Sequence, residues 1–277
     1  MVNRRKLDPD ESPRAAFGAR LRGLREARGW TQPELGVRMG YAASHISGVE
    51  TGSRGATAAF SRRADEVFGT GDALTRQGDE VRHPATLQGF DEYVALEKEV
   101  LESRVLELTA VPGLVQTRRY AAALQAGAMA RGAVTAQQVT ERLGLLTARQ
   151  SRLTGANPPK VYMVIDEAAL YRRVGGTDVM AEQCGRLLDF AALPHAVLQV
   201  SPFSLGEHRA LGFPLYLLTL RNGARVAYTE SAQRGHLERE SRYVEALVTA
   251  YQHLQVECPP QAESAQLIER IRRDRWR

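Results

Sequence analysis

A short helix predicted between residues 42 and 52 exposes polar groups that could hydrogen-bond to nucleic acid. Its apolar side chains, Ile46 and Val49, fall on the inward face. The residues left facing outward are Ser44, His45, Ser47 and Gly48. The major groove of DNA is wide enough to admit a helix, and hydroxyl groups there can bond to bases or to phosphates. The pattern therefore predicts an element that reads DNA.

The residues before this element predict a second short helix and a tight turn. Thr31 is a good N-cap, and Glu34 can complete a capping box with it. Pro33 fits the first turn, and Gly40 can take the left-handed conformation that ends a helix. Apolar periodicity predicts three more helices, over residues 14–28, 57–68 and 72–81. We therefore expect an all-α domain of five helices in residues 1–82.

These two short helices resemble the Xre-type helix-turn-helix. The resemblance is carried by Gly29-Trp30-Thr31-Gln32, Glu34-Leu35, Gly40, Ile46-Ser47 and Val49-Glu50-Thr51-Gly52. It implies a domain of the Xre/Cro type that contacts base edges through Gln32, Ala43, Ser44, Ser47 and Gly48, with His45 near a phosphate. Because Ala43 and Gly48 offer no side-chain donor, we expect sparse readout and a homodimer on a palindromic site of double-stranded DNA. The alternative is a helical hairpin used only for packing or dimerisation.

Positive charge is concentrated in the part of the chain that resembles a DNA reader. Residues 1–63 hold 12 Lys/Arg and 6 Asp/Glu, a net charge of +6, whereas the whole chain is only +5. Contacts with phosphates supply most of the non-specific affinity for DNA, so this asymmetry favours DNA binding. The candidate phosphate contacts are Arg54, Arg62 and Arg63. The alternative for these arginines is an ordinary solvated surface.

Composition and length indicate a globular protein of two domains. The 277 residues are 43% hydrophobic and 25% charged, which excludes a disordered or fibrous chain. No apolar run reaches the length of a membrane span, and residues 1–10 lack the apolar segment of a signal peptide. The two cysteines, Cys184 and Cys258, form no Cys-x-x-Cys pair. We expect a cytoplasmic protein without membrane contact, metal site or cofactor.

The second part of the chain predicts mixed α and β structure. A boundary is expected at His83-Pro84, followed by a linker helix within residues 83–103 whose Glu97, Glu99 and Glu102 are solvated. Residues 104–277 are expected to form an α+β domain, a small mixed sheet with packed helices. Predicted strands span residues 105–111, 160–165, 196–200, 213–220 and 225–229, the last two joined by a hairpin at Asn222-Gly223. Predicted helices span residues 177–193, 236–255 and 264–277.

Further residues resemble the C-terminal domain that accompanies Xre-type readers in actinobacterial regulators of the WhiJ group. The resemblance begins at Val111-Pro112-Gly113-Leu114-Val115-Gln116-Thr117 and Arg119-Tyr120-Ala121. Polar residues of this domain that could line a ligand pocket or hold a partner are Gln116, Thr117, Tyr120, Arg149, Gln150, Glu167 and Glu230. They could equally satisfy buried backbone groups at turns. The resemblance also implies a small partner protein, in a pair likened to an antitoxin and its toxin.

No enzymatic motif stands out. The phosphate-binding Gly-x-x-x-x-Gly-Lys, the zinc-binding His-Glu-x-x-His and the nucleophile motif Gly-x-Ser-x-Gly are all absent. Asp166-Glu167 at a strand end is the best carboxylate pair, and it is more typical of a structural ion pair. We therefore predict a transcriptional regulator, not an enzyme, whose C-terminal domain senses a small-molecule effector or a partner protein. The rivals are an antitoxin-like module that neutralises a small partner and represses its own promoter, and an enzyme tethered to DNA.

Overall fold

The computed structural model describes residues 13–82, 86–231 and 234–277, except for the side chains of Glu80 and Arg82. The chain divides into two compact units, Met1–Pro84 and Ala85–Arg277. The boundary predicted at His83-Pro84 lies outside the described residues.

Within its described residues, 13–82, the N-terminal unit is a bundle of five helices, as predicted. They are α1 (Pro13–Ala27), α2 (Gln32–Met39), α3 (Ala43–Glu50), α4 (Ala58–Phe68) and α5 (Ala73–Arg82). Each of the five contributes a fully buried side chain to one apolar core. These are Leu21, Leu35, Ile46, Phe60 and Leu74. The core therefore fixes α3 against the other four helices.

The turn between α2 and α3 has the predicted caps. Thr31 and Glu34 form the capping box at the start of α2, and Gly40 ends it in the left-handed region with φ +77°. Glycine is also needed where helices approach closely. A Cβ at Gly18 would lie 2.6 Å from the carbonyl oxygen of Val49, so only glycine lets α1 pack this tightly on the end of α3.

The C-terminal unit is built on a six-stranded mixed sheet in the order β3-β2-β1-β4-β5-β6. The strands are β1 (Val100–Glu107), β2 (Lys160–Asp166), β3 (Ala196–Ser201), β4 (Leu215–Leu220), β5 (Arg225–Glu230) and β6 (Gly235–Glu238). β1, β2 and β3 pair in parallel, and the remaining neighbours pair antiparallel. The Asn222-Gly223 turn joins β4 to β5 as predicted, with Gly223 at φ +82°.

Helices pack on both faces of this sheet. They are α6 (Phe90–Glu97), α7 (Arg118–Ala130), α8 (Ala136–Gln150), α9 (Glu167–Tyr171), α10 (Thr177–Ala191), α11 (Ser241–Glu257) and α12 (Gln261–Arg275). One apolar cluster joins Met163 of β2 to Leu187 of α10 and Ile268 of α12. Another joins Val164, the next residue of β2, to Tyr251 of α11. Successive residues of β2 thus face opposite helical layers, which makes β2 a fully buried strand.

The outer edge of β3 is covered by side chains of α12. The backbone N–H of Leu198 donates to Oε1 of Gln261 at 3.0 Å, and that of Val200 donates to Oγ of Ser264 at 3.1 Å. Ser264 is fully buried. These two bonds satisfy donors that an edge strand otherwise leaves open.

Two predicted helices were too long. The predicted helix of the linker ends at Glu97, and Val100 begins the central strand β1 instead. Glu97, expected to be solvated, is buried. The helix expected from residue 236 begins at Ser241, because Gly235–Glu238 pairs with β5. In both places, pairing with a neighbouring strand prevailed over local helical periodicity.

No helix among the described residues is long and apolar enough to cross a membrane.

Candidate nucleic-acid interface and C-terminal cavity

α3 presents most of the predicted reading residues on its outer side. Ser44 is exposed, while Ala43, Ser47 and Gly48 are partly exposed. The helix begins without a side-chain cap at Ala42. This face consists of small groups and can therefore approach another surface closely.

His45 does not face outward as expected. Its ring stacks on Phe60, with centroids 5.3 Å apart, and lies beside the ring of Tyr41. Its Nδ1 lies 3.0 Å from Nη1 of Arg54. Because a guanidinium group can only donate, Nδ1 is the acceptor and the ring proton is on Nε2. Burial, together with the charge of Arg54, lowers the pKa of His45 and favours the neutral ring. The neutral ring accepts the bond from Arg54 and orients this exposed side chain.

A buried carboxylate holds the two helices of the motif together. Glu50, at the end of α3, is completely buried and accepts bonds from Arg25 Nε at 2.6 Å and Nη2 at 2.9 Å. Gln32 Nε2 donates to Glu50 Oε2 at 2.9 Å, so this predicted contact residue is fixed at the start of α2. Glu50 was not among the predicted site residues, although its spacing after Ile46 and Val49 places it on the inward face.

The three candidate phosphate contacts have different surroundings. Arg54 is held by His45. Arg63 donates to Glu66 Oε2 at 2.8 Å and to the backbone oxygen of Arg38 at 2.9 Å, so its side chain also supports the fold. Arg62 is exposed, and no hydrogen bond or ion pair joins it to another described residue. Arg54 and Arg62 are therefore the better placed for a phosphate.

Several polar candidates of the C-terminal unit bond to backbone groups of the loop before α7. Gln150 Nε2 donates to the carbonyl oxygens of Gly113 and Gln116 at 2.8 and 2.9 Å. Gln116 Nε2 donates to Val111 O at 2.7 Å, and the backbone N–H of Val111 donates to the hydroxyl of Tyr120 at 3.2 Å. These bonds agree with the alternative that such side chains provide hydrogen-bond partners for buried backbone groups at turns.

Bonds to backbone groups, or from them, also involve Thr117, Gln183 and Glu167. Thr117 caps α7, and its backbone N–H donates to Gln183 Oε1 at 2.7 Å. Gln183 is fully buried and also donates to Val115 O at 2.8 Å, a role that sequence analysis did not assign. Glu167 accepts a bond from the backbone N–H of Phe203 at 2.8 Å.

Both carboxylates of the pair at the end of β2 form hydrogen bonds or ion pairs within the fold. Asp166 caps α9 and forms an ion pair with Arg209 at 2.6 Å. Cys184 is fully buried, and burial raises the pKa of its thiol to about 12, as expected for an inert core residue. Among the described residues, no group of three or more His, Cys, Asp or Glu side chains could hold a metal ion.

A cavity of about 430 Å³ lies in the C-terminal unit between α6, α8 and the sheet. Its size falls within the range of small-molecule pockets. Three of the predicted polar residues line it: Gln116, Arg149 and Glu230. Its apolar wall includes Leu143 and Leu146 of α8. The remaining predicted residues, Thr117, Tyr120, Gln150 and Glu167, do not line it.

Arg149 is neutralised by a carboxylate beside this cavity. Its Nε and Nη2 donate to the two carboxylate oxygens of Glu97 at 2.7 and 2.9 Å, and both side chains are about nine-tenths buried. Tyr93 adds a third bond, since its hydroxyl donates to Glu97 Oε1 at 2.9 Å. The guanidinium carbon of Arg149 also lies 5.0 Å from the ring centre of Phe90. This arrangement was not evident in the sequence, because Glu97 and Arg149 lie 52 residues apart.

Two further carboxylates lie near the same wall. The Tyr216 hydroxyl donates to Glu107, and the Tyr228 hydroxyl donates to Glu230 Oε1 at 2.9 Å. Burial, with a smaller contribution from the nearby charge of Glu230, raises the pKa of Glu107 to about 7, against the lowering effect of the bond from Tyr216. Burial also raises the pKa of Tyr216, so this hydroxyl stays a donor at neutral pH.

Comparison with known proteins gives two family matches. Residues 16–77 match the family described as Helix-turn-helix domain, so the bundle that contains α2 and α3 is a helix-turn-helix domain. No curated protein matches the chain, and no solved structure does. The second family match covers residues 90–270, more than half of the chain. The chain therefore belongs to the family described as Domain of unknown function (DUF5753).

Proposed function

We propose that the chain is a sequence-specific transcriptional regulator that lays α3 in the major groove of DNA. The observation that carries this proposal is the outer face of α3, where small groups lie beside an arginine oriented by His45. The buried bonds of Glu50 keep this face rigid, which lowers the cost of ordering it on DNA. Small residues allow close approach to base edges, and Arg54 is placed to contact the phosphate backbone.

The proposal includes the finer features expected from the sequence. The motif is of the Xre type found in actinobacterial regulators of the WhiJ group. The protein acts in the cytoplasm as a homodimer, without catalysis or cofactor. The sparse side-chain donors of α3 support dimerisation, because two half-sites on a palindrome compensate for weak readout at each one. The C-terminal unit senses a small molecule, and the cavity beside Arg149 supports this role.

The direct test is binding of the purified chain to its own upstream DNA across a series of salt concentrations. We expect saturable binding at least ~10³-fold tighter than to a scrambled duplex of the same composition, in the range of specific readers. Ser44→Ala with Ser47→Ala should reduce this ratio while leaving binding to the scrambled duplex unchanged. Equal, steeply salt-dependent binding to both duplexes would contradict the proposal, because it requires contacts with phosphates alone.

A second candidate function is the antitoxin-like module, and an apolar surface of the C-terminal unit favours it. A cavity of about 680 Å³ lies beside the edge strand β6 and is lined partly by Phe213 and Tyr243, both more than two-fifths exposed. Exposed apolar groups of this kind are typical of protein interfaces. Co-expression with any small protein that its genome encodes next to it tests this function. If Tyr243→Asp no longer neutralises the small protein while Arg54→Ala still does, the antitoxin-like function is favoured over regulation alone.

A further inference from the structure

Three carboxylates lie beside the cavity next to Arg149, and only one of them, Glu97, forms an ion pair with a described residue. Arg149 already forms two bonds with Glu97. Glu107 and Glu230 accept bonds from tyrosine hydroxyls, and neither forms an ion pair with a described residue. Arg142, the other guanidinium group of the wall, donates to Gln125 Oε1 at 3.2 Å. The two tyrosines that donate to these carboxylates are neighbours, with ring centroids 6.0 Å apart, and no described cation is bonded to either carboxylate.

The rest of the wall fits a small molecule with an apolar body. The side chains of Leu143 and Leu146 on α8 lie on one side, and the rings of Phe90 and Tyr93 on α6 lie on another. Glu230 lines the same cavity and is exposed, so its carboxylate can be reached by a molecule entering from solvent. Glu107 stands behind Tyr216, to whose hydroxyl it is bonded. An apolar pocket with a few convergent polar groups is the usual form of a ligand site.

We propose that this cavity binds a small organic ammonium ion, with the amine on Glu230 and the apolar body against the leucines of α8. This inference rests on the ligand-sensing role proposed above and names the chemical class of the ligand. A protonated amine can pair with the Glu230 carboxylate, which no described cation neutralises, and its positive charge opposes the repulsion between Glu230 and Glu107. A carboxylate ligand would add a third negative charge beside these two. A neutral ligand would leave their repulsion unchanged.

The test uses the full chain and a series of phenylalkylamines from benzylamine to 4-phenylbutylamine. Each is compared by calorimetry at pH 8 with the neutral alcohol and the carboxylic acid of matched length. We expect at least one amine to bind at least tenfold tighter than both its alcohol and its acid. Glu230→Gln should weaken the amine about tenfold, equivalent to about 1.4 kcal/mol, and leave the alcohol unchanged. Glu257→Gln, an exposed position on α11, is the matched control and should change nothing.

Two results would overturn this inference. Equal or tighter binding of an acid or alcohol would refute the charge assignment, and no binding by any amine of the series would refute the site. Glu107→Gln provides a second variant, expected to weaken the amine less than Glu230→Gln because Glu107 lies behind Tyr216. Binding of the full chain to its upstream duplex is measured separately, since the DNA-binding proposal rests on α3 of the N-terminal unit. A failed amine experiment with intact sequence-specific DNA binding therefore refutes the cavity proposal and leaves the regulator standing.

Discussion

Arg25 and Glu50 form a buried ion pair in which Nε and Nη2 of the arginine donate to both carboxylate oxygens. The pair joins α1 to the end of α3, and Gln32 adds a bond from the start of α2. Three helices of the DNA-reading unit thus meet at one carboxylate. This geometry makes Glu50 a structural centre of the motif.

Glu50→Ala is expected to destabilise the N-terminal unit by about 3–5 kcal/mol, because it leaves the buried Arg25 guanidinium with only the half-exposed Glu26 as an anionic partner. Urea unfolding in a Trp276→Phe background, which leaves Trp30 as the only tryptophan of the chain, measures this change by fluorescence. Glu66→Ala is the matched control, since the exposed Glu66 pairs only with the exposed Arg63 among the described ion pairs of this unit, and it should have little effect. Similar losses in both variants would contradict the assigned role of Glu50.

Two glycines of α1 are expected to respond in opposite directions to alanine. Gly18→Ala should destabilise the bundle by more than 1 kcal/mol, because the new methyl group meets backbone oxygens of α3 at 2.6 and 2.7 Å. At Gly23 the new methyl group would have no atom within 4 Å. Gly23→Ala should therefore stabilise the same helix by about 0.5–1 kcal/mol, because alanine has less backbone freedom to lose on folding. Thermal unfolding of both variants checks the pair. A stabilised Gly18→Ala would show that α1 packs less tightly on α3.

Arg54→Ala is expected to weaken DNA binding and to reduce the slope of log K against log salt by about one. The physical reason is the loss of one phosphate contact. Arg76→Ala on α5 is the control, because Arg76 is exposed and paired with Asp72 four residues earlier. His45→Ala should weaken binding less than Arg54→Ala. The positive charge of Arg54 remains in this variant, but its side chain loses the hydrogen bond that orients it. An unchanged slope in Arg54→Ala would exclude this residue as a phosphate contact.

Glu107 should make the C-terminal unit less stable as pH rises. Its pKa is about 7 when folded, against an ordinary 4.5, so the folded chain binds more protons between these values. Stability should therefore fall from about pH 4.5 to pH 7 and level off above. Glu107→Gln removes this dependence and should gain about 3 kcal/mol over wild type by pH 8. Denaturant unfolding at four pH values measures it, and parallel curves for the two proteins would contradict the shifted pKa.

The N-terminal bundle could be predicted closely because its signals are local. Caps such as Thr31 and glycine stops such as Gly40 act within a few residues, and both appear where expected. Apolar periodicity predicted α1, α4 and α5 for the same reason. In the C-terminal unit, β1 was harder to predict, because its eight residues are held by partners far along the chain in β2 and β4.

The site residues divide in the same way. Ser44 and Ser47 could be placed outward from helical spacing alone, whereas the inward turn of the His45 ring depends on Phe60 from α4. The pairing of Glu97 with Arg149 depends on how α6 and α8 meet across the cavity, and no local pattern encodes it. A buried charge such as Glu50 is the exception. Its position on an apolar face could have indicated a cationic partner.

The bonds from Gln261 and Ser264 to β3 have a consequence for chains that lose their last helix. A premature stop before Gln261 would leave the backbone N–H groups of Leu198 and Val200 without these acceptors. The apolar edge strand β3 could then pair with a strand of another molecule. Such a fragment should form insoluble fibres or aggregates even where its remaining sheet folds. α12 therefore blocks pairing of the β3 edge with another strand, in addition to stabilising the core.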